Sequence, residues 1–396
     1  MAGKESLALV SLGCAKNAVD LEVMTGNLLK SGRTLSPDPD RADTVIVNTC
    51  AFIASAREEA EAEIRRALEL KKRGAYGKVV VTGCYPQRYP KRAAAFPGVD
   101  EWIGVPQEWI EPKMPALRFT GKAFAYLKIA EGCAHRCAYC AIPSIRGKFR
   151  SRPIEDLVAE AKELSALGVK ELCIVAQDIT RYGTDFNGEH QLAKLLRELC
   201  RFDFKWIRLH YLYPDVLNDE MIDVIASEPK IVKYLDIPIQ HCNSKILELM
   251  NRRGNGEYIR ELLDTLRSRI PGLVIRTSLI TGLPGEGEEE FNHTVEFLKE
   301  ARFLSAHIFP YSEREGTPAS QMEDKVPIEI RRERAAKLIE IQKEITDSIL
   351  SEEIEREPER IVLFETYSNG TAHGHTDSFL EVSSPAPYDL HGERVK

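Results

Sequence analysis

The sequence lacks the features of membrane and secreted proteins. It contains no apolar run of the roughly 20 residues needed to cross a bilayer. The N-terminal stretch "LALVSLGC" is too short for a signal peptide, and Ser11 stands where a lipoprotein cleavage motif requires Leu. Positive charge is not in excess, since 54 Lys and Arg residues face 61 Asp and Glu, a net charge of −7. We therefore expect a cytoplasmic protein that contacts no membrane and whose overall field does not attract nucleic acid.

Cysteine is present, and three of the nine cysteines lie in "EGCAHRCAYC" at positions 131–140. Thiols clustered in this way in a reducing cytosol indicate metal or redox chemistry and not disulfides. Cys133, Cys137 and Cys140 are one ligand short of a closed zinc site, which needs four. They suit a [4Fe–4S] cluster whose remaining iron stays open to an exogenous ligand. A zinc site completed by His135 or by a distant group is the alternative.

The first hundred or so residues alternate β-branched runs with helical stretches, which predicts a doubly wound parallel α/β domain. The expected strands are "SLALVSLG", "TVIVNTC" and "KVVVTGC", with helices near 18–30 and 55–72. Cys14, Cys50 and Cys84 each follow the end of one strand. Because the C-terminal ends of parallel strands share one edge, these three thiols are expected to converge. The alternative is that each is only a small buried apolar residue.

A second α/β series follows a proline-containing linker, "GVPQEWIEPKMPALRFTGK", at 104–122. Its six strands predict a partial (β/α)6 barrel, because a complete eight-stranded barrel needs about 250 residues. The expected strands are "FAYLKIA", "KELCIVA", "KWIRLHY", "VKYLDIPI", "LVIRTSLI" and "SAHIFP". The loop with Cys133 follows the first of them, so it is expected at the C-terminal face, where such barrels carry their chemistry.

The last part of the chain predicts a long charged helix over 327–357 and then a small antiparallel β module, with turns at Asn369-Gly370 and 385–387. The expected domains are 1–115, 120–335 and 352–396, the last of them short. From Glu352 to Lys396, ten acidic residues face four basic ones, a net charge of −6. An RNA-binding module is expected to be basic, so direct RNA binding is not expected, and a basic protein is the expected partner.

The spacing C-x3-C-x2-C, with Tyr139 before its last cysteine, resembles the signature of radical S-adenosylmethionine (SAM) enzymes. Together with the three N-terminal cysteines, it resembles the methylthiotransferase family. Finer stretches are similar to the branch that modifies an aspartate of a ribosomal protein, namely "SLGCAKNAVD", "CAIPSIRGKFRSRP", "VAQDITRYG", "YLDIPIQHCN" and "MNRRG". The tRNA-modifying branch more often has Gln-Met-Asn after its first cysteine, where this chain has Ala15-Lys16-Asn17. The tail resembles a TRAM module, a small β-barrel that grips RNA in some members and ribosomal protein in others.

The resemblance implies SAM as a cofactor and two [4Fe–4S] clusters, with six thiolate ligands, Cys14, Cys50, Cys84, Cys133, Cys137 and Cys140. One SAM would methylate the sulfur carried by the N-terminal cluster, and a second would yield the radical that removes hydrogen from the β-carbon of the aspartate. The implied partners are a basic small-subunit ribosomal protein, a low-potential electron donor and a sulfur donor. Two alternatives stay open: the substrate is a tRNA adenosine, or the chain is a non-catalytic ribosome-associated protein with structural zinc sites.

Four residues are candidates for contact with the cofactor, and no residue is assigned to acid–base catalysis. Gly282 and Gly285 lie in "TGLPGEGEEEF", between a strand and a helix, where the resemblance favours a cofactor contact over a simple turn. Gln177 ends the second barrel strand and is expected to face the reaction chamber, as is Asp178 unless it caps its own loop. The fourth candidate is Tyr139.

The remaining cysteines and a small group of arginines have less specific interpretations. Arg146, Arg150 and Arg152 follow the cysteine loop and could bind a carboxylate of the cofactor or an acidic substrate, although a solvated face is the usual explanation. Cys173 and Cys200 are interpreted as structural, and Cys242 is left unassigned.

Overall fold

The computed structural model of this chain describes residues 5–105 and 118–396. The predicted linker at 104–122 lies mostly outside these ranges, as does the predicted domain boundary at 115. No helix within the described ranges is both long and apolar enough to cross a membrane. The predicted division into 1–115, 120–335 and 352–396 stays a prediction.

The N-terminal sheet is parallel and doubly wound, as predicted. Its strands are β1 Ser6–Ser11, β2 Thr34–Leu35, β3 Ala42–Thr49, β4 Tyr76–Gly83 and β5 Glu101–Trp102. They are arranged in the order β2-β1-β3-β4-β5, and every neighbouring pair is parallel. The helices are α1 Ala15–Lys30, α2 Ala54–Lys72 and α3 Cys84–Arg88, with a 3₁₀ turn at Pro90–Ala95. In this order the winding reverses between β1 and β3, and such a switch point opens a crevice at the C-terminal strand ends.

The second sheet is a six-stranded open barrel, again as predicted. The barrel strands follow one another in chain order. A separate antiparallel pair, β7 Ala130–Glu131 and β8 Arg150–Ser151, lies between the first and second barrel strands in the sequence. The barrel strands are β6 Phe124–Lys128, β9 Glu171–Val175, β10 Trp206–Leu209, β11 Ile231–Asp236, β12 Val274–Thr281 and β13 Ser305–Pro310. Neighbouring strands are parallel throughout, and β6 and β13 form the two open edges.

Alternation along the barrel strands separates an apolar outer face from a polar inner face. Leu172 and Ile174 of β9, like Leu235 of β11, are fully buried against the surrounding helices. Their neighbours Cys173 and Tyr234 point the other way, into a cavity. The surrounding helices are α4 Ile142–Arg146, α5 Ile154–Ala166, α6 Thr184–Asn187, α7 Leu192–Leu199, α8 Asp219–Ser227, α9 Ser244–Leu249, α10 Gly256–Arg269, α11 Glu288–Ala301 and α12 Ile328–Arg356, with 3₁₀ turns at Pro214–Val216 and Pro318–Gln321.

The third sheet is small and antiparallel, in the order β16-β15-β14-β17. Its strands are β14 Val362–Ser368, β15 Thr371–Thr376, β16 Glu381–Pro385 and β17 Arg394–Val395. Asn369 and Gly370 both have positive φ, 50° and 75°, between the paired residues Ser368 and Thr371. This is the two-residue hairpin turn that the Asn-Gly dipeptide predicts.

A buried charged contact attaches the small sheet to the barrel. His375 of β15 contacts Glu171 of β9 at 2.5 Å through Nε2 and Glu365 of β14 through Nδ1. Arg208 of β10 donates to the backbone carbonyls of Asp377 at 2.7 Å and Thr376 at 3.2 Å. Burial alone would lower the pKa of His375, but its hydrogen bonds to the two carboxylates raise it from 6.5 to about 9.

We expect attachment of the small sheet to weaken as the pH rises from 6.5 to above 9. Protonated His375 stabilises the folded state fully below 6.5, and this contribution is lost as the pH rises through its folded-state pKa. The loss is on the order of 3 kcal/mol. Hydrogen exchange of β14 and β15 across this pH range measures it. His375→Gln should flatten the profile, whereas His373→Gln, two residues earlier on the same strand and hydrogen-bonded to Ser383, should not. Equal profiles for both variants would contradict the assignment.

Candidate functional site

The three N-terminal cysteines meet at the switch point of the first sheet, as predicted. Cys14 caps α1 directly after β1, Cys50 follows β3, and Cys84 begins α3 after β4. Gly13 has a φ of +93°, and a Cβ at this position would lie 2.8 Å from Cys50 Cβ. Glycine therefore lets the turn before α1 approach Cys50 closely enough for the thiols to meet.

Burial controls the protonation of two of these thiols, Cys84 and Cys50. It raises the pKa of the Cys84 thiol to about 12, although the positive charge of Arg146 beside the thiol acts in the opposite direction. Burial likewise raises the pKa of Cys50. These thiols are thus protonated at neutral pH, and binding of a metal centre would displace their protons.

The second group of cysteines lies on the loop between β7 and α4. The amide of Cys140 donates to the carbonyl of Cys137 at 3.0 Å, and Cys140 Sγ accepts from the amide of Ile142 at 3.4 Å. Cys133 is tied to the far end of the loop, because its amide donates to the carbonyl of Gly147 at 3.3 Å. Burial raises the pKa of Cys133 to about 12 and that of Cys140 to about 11. The Cys133 and Cys140 thiols are therefore protonated at neutral pH, like those of Cys50 and Cys84.

Aromatic and charged side chains support this loop from the barrel. His135 lies between Cys133 and Cys137, stacks on Tyr213 with ring centroids 3.5 Å apart, and contacts Asp178 Oδ2 through Nε2 at 2.7 Å. Asp178 also accepts from the amide of Thr180 at 2.9 Å, so it caps its own loop and holds the cysteine loop together. These contacts explain why an acidic residue lies in the loop that follows β9.

Each cysteine group supplies three thiols, the donor set of a [4Fe–4S] cluster with one open iron. Within residues 5–105 and 118–396, no three Cys, His, Asp or Glu side chains are placed to hold one metal ion. Zinc would draw four ligands to one centre at about 2.0 to 2.3 Å. The thiolates of a [4Fe–4S] cluster each bind a different iron and stand further apart. A closed structural zinc site at either group would need a fourth ligand, whereas three thiols suffice for a cluster with an open iron.

Two of the predicted cofactor contacts, Gln177 and Tyr139, differ in whether they have a polar atom free to bind a ligand. Gln177 donates to Glu131 Oε1 at 2.7 Å, and its own Oε1 is buried with no partner among the described residues, so it can accept from a ligand. Tyr139 is buried within the loop, where its hydroxyl accepts from Arg252 at 2.9 Å. This contact anchors the aromatic ring beside Cys140.

The two glycines have backbone roles that account for them without a cofactor. The amide of Gly282 donates to Glu286 Oε2 at 2.9 Å, and that of Gly285 to the carbonyl of Asp324 at 2.8 Å. Both have positive φ, and a Cβ at Gly285 would lie 2.8 Å from Leu249 Cδ1. A tight turn therefore explains both residues, and their contact with a cofactor stays a prediction.

The solvated-face interpretation of the arginines after the loop is wrong for two of them. Arg146 and Arg152 are 2% and 1% exposed. Arg146 donates to Cys84 Sγ at 3.3 Å and to Asp20 at 2.5 Å, so it reaches from the loop into the N-terminal site. Sequence analysis did not predict this contact. The one signal of it in the sequence is that the polar residues Asn17 and Asp20 lie on one face of α1, the helix that follows Cys14.

A cavity of about 310 Å³ opens between all three sheets. The barrel contributes its polar inner face, Ala15 brings the residue after Cys14 to the wall, and the small sheet adds Glu365 and Phe379. Asp236 and Arg276 form an ion pair of 2.8 Å in this wall. The cavity is thus a chamber with charged walls, next to the N-terminal cysteines.

The three other cysteines do not join either group. Cys173 is 4% exposed on β9 and faces the chamber, and Cys200 caps the end of α7. Cys242 is fully buried beside Thr294 Oγ1 at 3.6 Å. All nine cysteines are free thiols.

Two family models match the chain. The model of the radical SAM superfamily covers residues 127–298, and the model of the uncharacterized protein family UPF0004 covers residues 6–104. The first contains the loop with Cys133, and the second contains the three N-terminal cysteines. The two matches therefore coincide with the two cysteine sites.

Curated relatives are similar over most of their length. The ribosomal protein uS12 methylthiotransferase RimO of Myxococcus xanthus is 46% identical over 86% of this chain and 76% of its own. Proteins of the same name from Geobacter sulfurreducens and Elusimicrobium minutum are 44% and 41% identical, over 93% and 86% of this chain and 88% and 84% of their own.

Solved structures resemble the chain in fold alone. The radical SAM methyltransferase TsrM from Kitasatospora setae, solved with cobalamin and a [4Fe–4S] cluster, matches with a TM-score of 0.58 and 16% identity, covering 80% of this chain and 77% of its own. The cobalamin-dependent SAM radical enzyme OxsB matches with a TM-score of 0.53 and 10% identity, covering 87% of this chain and 56% of its own.

Proposed function

Because the chain belongs to the ribosomal protein uS12 methylthiotransferase family, we propose that it inserts a methylthio group at the β-carbon of an aspartate in uS12. The observation that carries this proposal is the pair of three-cysteine sites at the C-terminal edges of two adjoining parallel sheets. With a ribosomal protein as substrate, the reaction takes place in the cytosol.

The chain is a radical SAM enzyme that uses an iron–sulfur cluster and SAM. We further propose two clusters, one held by Cys133, Cys137 and Cys140 and the other by Cys14, Cys50 and Cys84. When bound, these groups supply a radical able to remove hydrogen from an unactivated C–H bond, and the sulfur to be inserted. The protein holds the two sites at fixed positions and shields them in part from water, since Cys84 and Cys137 are buried and the other four cysteines are half-buried.

The chamber between the three sheets is the proposed binding site for the target segment of uS12. Asp236, which is paired with Arg276, and Glu365, which is paired with His375, provide carboxylates in its wall that a basic polypeptide can share. Arg276 has a side chain 28% exposed and offers a cation to the target carboxylate. The net charge of −6 over 352–396 favours protein over RNA as the partner of the small sheet.

Reaction of uS12 and of unmodified tRNA in parallel tests this function. Each is incubated anaerobically with the reconstituted protein, SAM and reductant, and analysed by mass spectrometry. We expect a methylthio mass gain on an aspartate peptide of uS12 and none on tRNA. A mass gain on tRNA alone would support methylthio transfer but contradict uS12 as the substrate. No gain on either molecule would contradict the proposed transfer itself. Omission of SAM is the matched control.

A low-potential electron donor and a sulfur donor are required for repeated turnover, and we propose where the first docks. A second cavity, of about 230 Å³, lies beside the cysteine loop and is lined by Arg136, Arg181 and Arg253. Arg181 is paired with Asp178 and Asp215. Arg136 and Arg253 are exposed and form no ion pair with any residue in 5–105 or 118–396. This local positive charge, next to Cys137, suits an acidic electron-transfer protein.

Charge reversal at this patch is expected to slow electron delivery by a protein donor. For Arg253→Glu at low salt, the ratio of the donor-driven to the dithionite-driven rate of SAM cleavage should fall about tenfold or more, because electrostatic steering is lost. Arg73→Glu, which changes an exposed arginine at the end of α2, is the charge-matched control. An unchanged ratio for Arg253→Glu would place the docking surface elsewhere.

A further inference from the structure

Helix α4 links the two cysteine groups. It begins two residues after Cys140, whose sulfur accepts from the amide of Ile142, and it ends at Arg146. Ala141 and Ile145 pack in one buried cluster with Cys84 and Val105. A single short helix therefore runs from the loop group to the N-terminal group.

The guanidinium of Arg146 contacts a cysteine of the other group directly. Its Nη2 donates to Cys84 Sγ at 3.3 Å and to Asn17 Oδ1. The Cys84 thiol in turn lies 3.4 Å from Asn17 Oδ1. The Nη2 atom of Arg146 thus lies beside a cysteine sulfur atom of the N-terminal group.

The other side of Arg146 enters a buried network of four charges. Its Nη1 donates to Asp20 at 2.5 Å and to Glu131 at 3.2 Å. Lys128 bonds the same two carboxylates, at 2.5 and 2.9 Å. Each of the four side chains is at most 7% exposed. With two cations and two carboxylates the network is neutral.

We propose that Arg146 is a positioning residue that sets the reduction potential of the cluster held by Cys14, Cys50 and Cys84. The proposal rests on the two-cluster function proposed above. A hydrogen bond to a ligating sulfur, and positive charge beside it, stabilise the more negative reduced state of an iron–sulfur cluster. Because Arg146 lies on the segment that follows Cys140, the segment carrying one site adjusts the potential of the other.

The balanced network predicts shifts of opposite sign for two substitutions. Arg146→Gln leaves Asp20 and Glu131 with Lys128 alone, a net charge of −1 beside the cluster, so the potential should fall. Asp20→Asn leaves two cations with one carboxylate, a net charge of +1, so the potential should rise. Low solvent access keeps either charge from being screened.

The test is a redox titration followed by electron paramagnetic resonance. The parent is the full chain with Cys133, Cys137 and Cys140 replaced by alanine, so that only the N-terminal site holds a cluster. Arg152→Gln in this parent is the control, because Arg152 is as buried as Arg146 and pairs with Glu160 at 2.8 Å but bonds no cysteine. We expect a lower potential for Arg146→Gln, a higher one for Asp20→Asn and no shift for Arg152→Gln.

Two failures of this experiment are distinguishable. A parent that binds no iron would overturn the two-cluster function and the role of Arg146 with it. If the parent holds a normal cluster, two results would overturn the role of Arg146 alone. The reduction potential could be the same in Arg146→Gln and Asp20→Asn as in the parent, or it could shift by the same amount as in Arg152→Gln. If Arg146→Gln does not fold, Asp20→Asn decides the sign, and Arg146→Lys, which keeps the charge, should stay near the parent.

Discussion

Replacing Cys14 by alanine is expected to abolish methylthio transfer while leaving cleavage of SAM intact. Cys14 caps α1 in the N-terminal group and bonds no residue of the loop with Cys133 among the described residues. Its loss removes one of three ligands of the site proposed to hold the sulfur. We expect a loss of more than about 100-fold, since substitutions one shell further out already cost 10- to 100-fold.

Two products measured in one reaction separate the half-reactions. Formation of 5′-deoxyadenosine reports cleavage of SAM, and the modified uS12 peptide reports transfer. Cys200→Ala is the matched control, because Cys200 is a half-buried thiol at the end of α7, outside both groups. Methylthiolated uS12 formed by Cys14→Ala at the wild-type rate would show that the N-terminal cysteines do not hold a reacting cluster.

Replacing Cys133 by alanine is expected to abolish both products. Cys133 belongs to the loop that the radical SAM family model covers, and the loop also supplies Cys137 and Cys140. With two thiolates the loop can no longer hold a cluster with a single open iron, so neither SAM cleavage nor transfer can start.

The folded state of this variant needs a separate check. The amide of Cys133 keeps its bond to Gly147, and His135 keeps its contacts to Tyr213 and Asp178, so the loop should retain its structure. Circular dichroism and the thermal midpoint should therefore match those of Cys200→Ala. A folded Cys133→Ala enzyme that still forms 5′-deoxyadenosine would contradict the assignment of the loop.

Local patterns were sufficient to predict the fold and the convergence of the cysteines. Near-continuous apolar strands are typical of a parallel sheet. Because the C-terminal ends of parallel strands lie at one edge of the sheet, residues just past these strands, here Cys14, Cys50 and Cys84, are predicted to lie together. The Asn369-Gly370 turn followed in the same way from its own two residues.

Contacts between distant parts of the chain could not be predicted. The contacts of Arg146 leave no local pattern, because its partners Asp20 and Cys84 lie 126 and 62 positions away in the sequence. The attachment of the small sheet through His375 and Glu171 spans 204 positions. Such pairs leave no periodicity in a sequence, and only the packing of the sheets against one another brings them within bonding distance.

The same limit applies to the chamber. Asp236, Arg276 and Glu365 come from different sheets or strands, and none carries a motif that marks it as part of one wall. The polar inner face of the barrel is visible as alternation along each strand, but its assembly with Ala15 and Phe379 is a tertiary property.

The number of clusters is the central claim, and iron content tests it most directly. Iron and acid-labile sulfide are counted in the anaerobically reconstituted wild type and in two triple alanine variants, one for each cysteine group. We predict about eight irons per chain in the wild type and about four in each variant, with the broad visible absorption of iron–sulfur centres. About four irons in the wild type, unchanged when Cys14, Cys50 and Cys84 are removed, would contradict the two-cluster enzyme, as would a colourless protein that retains zinc.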